Sequence, residues 1–311
     1  MKEGTPSITA IGVAINRAVH QVLDDDPKIL PDPIALPIVE GLLHDTFVMY
    51  WPQRYAAAST AVPASSREAI LEVAEEFRTP MWNFLRSDSV VRSRFTEDCL
   101  AEAVAAGVRQ YVILGAGLDT FAYRQPSWPE QLRIFEVDHP ATQQWKRAHL
   151  AQRGIERPGN LEFCPIDFEK RALAEGLAAS AFDPQVPTFF SWLGVTMYLT
   201  RSAIEATLRF VLSLPRQSEI VFNFSPTREC VSPAEAALWA EVAAFLGPLL
   251  RAHGEPPITQ FAAEELQDWL ARLGFAQLCF LSAELATARY FAGRRDGLRA
   301  LQTLQLLRAT V

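Results

Sequence analysis

Gly115-Ala116-Gly117 directly follows the apolar run Tyr111-Val112-Ile113-Leu114. Glycines there leave a bare backbone that a ligand can approach closely, and open α/β sheets bind ligands at the carboxyl ends of their strands. Glu136 and Asp138 close a second apolar run about twenty residues further on, where a carboxylate can accept hydrogen bonds from ribose hydroxyls. Alternation along a strand lets both carboxylates share one face. Asp167, after a third run, adds a carboxylate on the same edge, suited to accept from an exocyclic adenine amine with Phe168 against the ring. Together these residue types point to nucleoside binding. Thr120 holds the third position of a GxGxxG pattern, so the pyrophosphate-binding version is incomplete.

Such residues need a scaffold that brings strand ends together. Apolar, partly β-branched runs recur at residues 111–114, 133–137, 161–166, 188–192 and 219–224. Helical patterns fill several gaps, as with Ile204, Leu208, Val211 and Leu212 after a capping-box spacing of Ser202 and Glu205. Strand and helix in alternation predict βαβ units, an α/β class and a mostly parallel sheet. A helix near residues 262–273 ends at Gly274, and strand-like runs follow at 277–282 and 287–292. The short connection between those two predicts an antiparallel terminal hairpin, because parallel neighbours need a crossover of a dozen or more residues. The expected sheet has seven strands between Tyr111 and Ala292. The first 105 residues read as helices and loops, with a short helix at 98–106 stopped by Gly107.

Composition narrows the partners. Lys and Arg number 29 against 36 Asp and Glu, a net charge of −7, which disfavours a nucleic-acid backbone as ligand. Cys99, Cys164, Cys230 and Cys279 show neither CxxC spacing nor an accompanying His cluster, so neither a zinc site nor a disulfide framework is expected. The N-terminus does not resemble a signal peptide, and Glu241 and Pro248 break the apolar stretch 236–250. A cytoplasmic protein with no membrane partner and no metal is the expectation. GxSxG, HExxH and P-loop patterns are absent, and no catalytic residue stands out. His139 beside Pro140 reads as structural. Tyr123, Arg124, Trp192, Met197 and Tyr198 are candidates for a substrate pocket, and each also reads as packing, core or surface.

The stretch Tyr111–Arg124, YVILGAGLDTFAYR, resembles the glycine motif of the leucine carboxyl methyltransferase family, and more closely its bacterial S-adenosylmethionine-dependent branch. Other similar stretches are Arg92–Asp98 (RSRFTED), Phe135–Pro140 (FEVDHP), Trp192–Leu199 (WLGVTMYL), Gly254–Pro256 (GEP) and Arg289–Leu298, with Arg17–His20 and Asp32-Pro33 near the start. The resemblance implies a class I methyltransferase Rossmann-like fold. It further implies that Gly115 and Gly117 approach S-adenosylmethionine, that Asp138 takes the ribose, and that Asp167 and Phe168 frame the adenine. Arg92 is similar to the arginine that pairs with the methionyl carboxylate, with Arg94 as its competitor and Arg17 as a further contact. Leu193-Gly194-Val195 stands where the eukaryotic carboxyl methyltransferases carry Glu-Gly-Val, so a protein-phosphatase substrate does not carry over.

The resulting expectation is one catalytic domain over residues 1–311, with a helical N-terminal lid (1–105) and a cofactor-binding core with C-terminal hairpin (106–311). Its reaction is methyl transfer to an oxygen, carboxylate or hydroxyl, of a small-molecule acceptor such as a secondary metabolite. A nicotinamide-dependent oxidoreductase and a catalytically silent methyltransferase-like binding protein are the alternatives.

Overall fold

A computed structural model describes residues 7–52, 65–128, 132–167 and 171–311. Among the described residues six helices come first: α1 (Ile8–Leu23), α2 (Ala35–Val39), α3 (Leu43–Tyr50), α4 (Ser66–Glu72), α5 (Ala74–Phe77) and α6 (Pro80–Ala105). Then follow β1 (Gln110–Leu114), α7 (Phe121–Arg124), β2 (Arg133–Asp138), α8 (Pro140–Gln152), β3 (Leu161–Pro165), α9 (Leu173–Leu177) and β4 (Thr188–Trp192). The chain ends with α10 (Arg201–Leu212), β5 (Glu219–Phe224), α11 (Pro233–Ala252), α12 (Ala263–Leu273), β6 (Gln277–Phe280), α13 (Ala283–Ala286) and β7 (Gln305–Thr310).

The seven strands form one sheet in the order β3-β2-β1-β4-β5-β7-β6. Neighbours from β3 to β5 pair in parallel, and β7 runs antiparallel to both β5 and β6. This is the class I methyltransferase arrangement, and the antiparallel β7 separates it from an all-parallel dinucleotide fold.

One sequence expectation fails at the hairpin. Residues 287–291 form a π-helical turn after α13, whose first turn is capped by Ser282 Oγ accepting from Leu285 N–H at 3.1 Å. The antiparallel partner of β6 is β7 instead. That strand lies between two others, so both its edges are paired, and Leu306 on one face and Leu307 and Ala309 on the other are fully buried in the two cores. Two smaller corrections concern helices. The helix expected at 98–106 is the last part of the 26-residue α6, which contains no Gly and no Pro after its first residue. Thr200, not Ser202, caps α10 by accepting from Ala203 N–H at 3.3 Å.

Period-2 alternation sorts the strand side chains between two cores. Tyr111, Ile113, Ile134 and Phe189 face one side and join residues of α1–α6 such as Ile15, Val19, Val91 and Leu100. Val112, Leu114, Phe135, Phe190 and Phe222 face the other and pack with Ile204, Leu208, Leu266 and Leu270 of α10 and α12. The N-terminal helices are thus one packed layer of the molecule, continuous with the sheet. Among the described residues no helix is long and apolar enough to cross a membrane.

Candidate active site

The strand order reverses direction from β1, with β2 on one side and β4 on the other. At the carboxyl ends of these strands opens a cavity of about 680 Å³. Gly115, Gly117, Asp138 and Asp167 all line it, with Arg92 and Arg17 from the N-terminal layer and Tyr198 after β4. Phe168 lies outside the described residues.

The turn after β1 is held from two directions. Gly115 N–H and Ala116 N–H both donate to Val137 O, at 2.8 and 3.1 Å, which extends the β1–β2 ladder past the strand end. Gly117 N–H donates to Asp138 Oδ2 at 2.5 Å, and His139 N–H donates to Asp138 Oδ1 at 2.6 Å. Burial pushes the Asp138 carboxyl up, while these two amides pull it back toward the charged form. Gly115 has φ +65°, and a Cβ there would stand 2.4 Å from Val195 Cγ2, so the position needs glycine twice over.

Thr120, the residue that interrupts the glycine pattern, serves the N-terminal layer. Its hydroxyl donates to Asp32 Oδ2 at 2.6 Å in a fully buried contact. Arg124 donates to both oxygens of Glu97, at 2.5 and 2.9 Å, and its Nε lies 3.5 Å from Asp32 Oδ1. Arg124 is therefore a buried tie between α6 and the core; it does not line the cavity. Trp192 does not line it either. Its ring is completely buried beside Phe222 on the opposite face of the sheet, as strand alternation requires. Tyr123 lines a separate groove between α8 and β3, with Lys146 Nζ 5.7 Å from its ring centroid. Of the five expected pocket residues, Met197 and Tyr198 reach the cavity.

Glu136 and Asp138, two apart in β2, part company. Glu136 is wholly buried and accepts from Lys146 Nζ at 2.7 Å, well inside the protein. Burial raises its carboxyl to about 7, against the opposing pull of Lys146.

On the β4 side, Arg92 Nη1 donates to Asp88 Oδ2 at 2.9 Å and the rest of the guanidinium borders the cavity. Gly194, at φ +72°, passes so close that a Cβ would sit 3.1 Å from Arg92 Nη2. Gly194 N–H donates to Asn223 Oδ1 at 2.6 Å, fixing this turn to β5. Arg94 instead pairs with Asp98 along α6 and borders a different groove. Arg17 donates from Nη2 to Leu118 O, behind the glycine turn. Burial raises the Tyr198 phenol to about 12, with Arg92 opposing. At the β2 end, His139 Nδ1 accepts from Ala141 N–H at 3.3 Å, and its Nε2 lies 3.8 Å from Asp167 Oδ2.

Sequence reasoning did not single out Ser7, Thr9, Ala10 and Ile258, which also wall the cavity. They come from the first turn of α1 and from loops without a motif. Glu255 carried a signal, since it lies within the similar stretch Gly254–Pro256.

A Bacillus subtilis (strain 168) protein, YktD, named provisionally as an S-adenosyl-L-methionine-dependent methyltransferase, is 30% identical over 99% of both chains. A Saccharopolyspora erythraea protein, named in the same terms, is 33% identical over 65% of this chain and 60% of its own length. Among solved structures, a DUF574 family protein from Streptomyces avermitilis superposes with a TM-score of 0.48 at 14% identity, covering 98% of this chain and 97% of that one. The family model for leucine carboxyl methyltransferase matches residues 10–212. The chain belongs to the leucine carboxyl methyltransferase family.

Proposed function

We propose that this protein transfers a methyl group from S-adenosyl-L-methionine to an oxygen of a small molecule, with a carboxylate as the preferred acceptor. The residues present fit that cofactor. Asp138 turns a carboxylate already oriented by two backbone amides toward the cavity, and Gly115 and Gly117 keep the neighbouring wall free of side chains. Asp138 would hold the ribose, Asp167 the adenine amine, and Arg92 the methionyl carboxylate. S-adenosyl-L-methionine supplies a methyl group already activated on a sulfonium centre, so orientation and exclusion of water carry much of the catalysis.

The observation that favours an acid acceptor is the position of Tyr198 in the cavity wall. Burial raises its phenol, so it stays protonated at neutral pH and does not serve as a base. Glu255, an acid on this side, commits one oxygen to three donors from Ser7 and Thr9. An acceptor that arrives as an anion needs no base.

The test is calorimetric titration with S-adenosylhomocysteine and NADH, followed by transfer of labelled methyl to panels of small carboxylic acids and phenols. Binding of S-adenosylhomocysteine alone and base-labile methyl esters are expected. Binding of NADH alone sinks the cofactor assignment, and methylated phenols without esters sink the acceptor assignment.

A further inference from the structure

The first turn of α1 is fastened to a loop far along the chain. Ser7 Oγ donates to Glu255 Oε2 at 3.0 Å, Thr9 Oγ1 donates to the same oxygen at 3.1 Å, and Thr9 N–H reaches it at 3.4 Å across 246 residues of sequence. The two hydroxyls are 2.8 Å apart, and Ser7 Oγ also caps the helix by accepting from Ala10 N–H at 3.3 Å. Ser7, Thr9, Ala10 and Glu255 all face the cavity.

Two features give this clasp a role beyond tying down a terminus. Ala10 lies directly against the glycine turn: a Cβ on Gly117 would meet Ala10 Cβ at 2.9 Å. The outer half of α1 therefore roofs the backbone against which a nucleoside would lie. That outer half is less deeply packed than the inner one, with Ile8 its buried residue and Ala10 and Ile11 packed at the edge of the core. Residues 14–20 are buried without interruption, whereas residues 9–13 are half-exposed. The first turn, where burial is thinner and the helix end can fray, is held on the cavity by the polar contact at its tip.

We infer that Glu255 is a positioning residue that holds the first turn of α1 over the cofactor, so that retention of bound cofactor depends on the Glu255–Ser7/Thr9 clasp. This rests on the reading that the cavity binds S-adenosyl-L-methionine.

The experiment measures the dissociation rate of S-adenosylhomocysteine from the full chain. Glu255→Ala is expected to release it about ten-fold faster, as loss of a charge-assisted hydrogen-bonded cluster implies, and Glu255→Asp to fall between. The Ser7→Ala/Thr9→Val pair attacks the clasp from α1 and keeps the test alive should Glu255→Ala not fold. It is expected to match Glu255→Ala, and the triple variant to be no faster, because all remove one shared interaction. A merely destabilised protein would lower the fraction that binds and leave the release rate of the bound fraction unchanged. An unchanged rate in either variant, or effects that add in full, overturns the inference. Failure of the unaltered protein to bind S-adenosylhomocysteine instead overturns the cofactor reading on which it rests.

Discussion

Gly117 and Asp138, separated by 21 positions, meet at the ends of adjacent parallel strands, where the glycine amide donates to the aspartate at 2.5 Å. The contact ties the turn after β1 to the last residue of β2. It also leaves the carboxylate with lone pairs for a ligand, since an ionised carboxylate has about four acceptor sites and two are used by Gly117 and His139. One interaction thus builds the wall and aims the group.

Asp138→Ala is expected to weaken S-adenosylhomocysteine binding by at least about ten-fold, through loss of the proposed ribose contact and of the acceptor for two amides. Titration calorimetry measures this. Unchanged affinity removes Asp138 from the site.

Gly115→Ala meets both a left-handed backbone and a side chain 2.4 Å away. A cost of about 1–3 kcal/mol is expected in chemical denaturation. Adding Val195→Ala is expected to restore the steric part and leave the backbone part, so full recovery would show that φ carries no strain.

Arg124→Ala is expected to lower stability by about 3–5 kcal/mol, because Glu97 and Asp32 lose their shared cation inside the protein. Arg124→Lys, which cannot form the bidentate pair, is expected to fall between. Denaturation midpoints read the effect. A variant of wild-type stability with a raised acceptor KM would return Arg124 to the substrate pocket.

Glu136 gives a pH signature. Its folded-state carboxyl is raised to about 7 by burial, above the ordinary 4.5. Its contribution is therefore fully present below about pH 4.5 and lost as pH rises through about 7, a swing of about 3 kcal/mol. Comparing denaturation of the wild type with Glu136→Gln from pH 4.5 to 8 isolates it: the difference should decline with rising pH. A difference that grows with pH contradicts the raised value.

The strand-and-helix alternation, the glycine turn and the acid at the end of the second strand were legible because each depends on neighbours a few residues away. β1 to β5 fall close to their expected positions for that reason. The last strand was missed because residues 287–292 offer a strand-like composition, whereas the true partner of β6 lies beyond residues 281–304, a separation that local pattern does not measure. The same limit explains the pocket candidates. Tyr123, Arg124 and Trp192 are near the right strand ends in sequence, but strand alternation and the N-terminal layer turn them away from the cavity.

Arg92 and Arg94 illustrate the boundary most directly. They sit two residues apart on one helix and are chemically identical, so linear sequence leaves the choice between them open. A separation of two residues on an α-helix rotates a side chain by roughly 200°. One guanidinium therefore borders the cavity beside Gly194, and the other pairs with Asp98 beside another groove. Residue types and spacing pointed to a sheet edge suited to a nucleoside. Which cations and hydroxyls close over it was decided by contacts between distant segments, Ser7 with Glu255 and Asp32 with Thr120, whose pairing exists only once both core layers have packed.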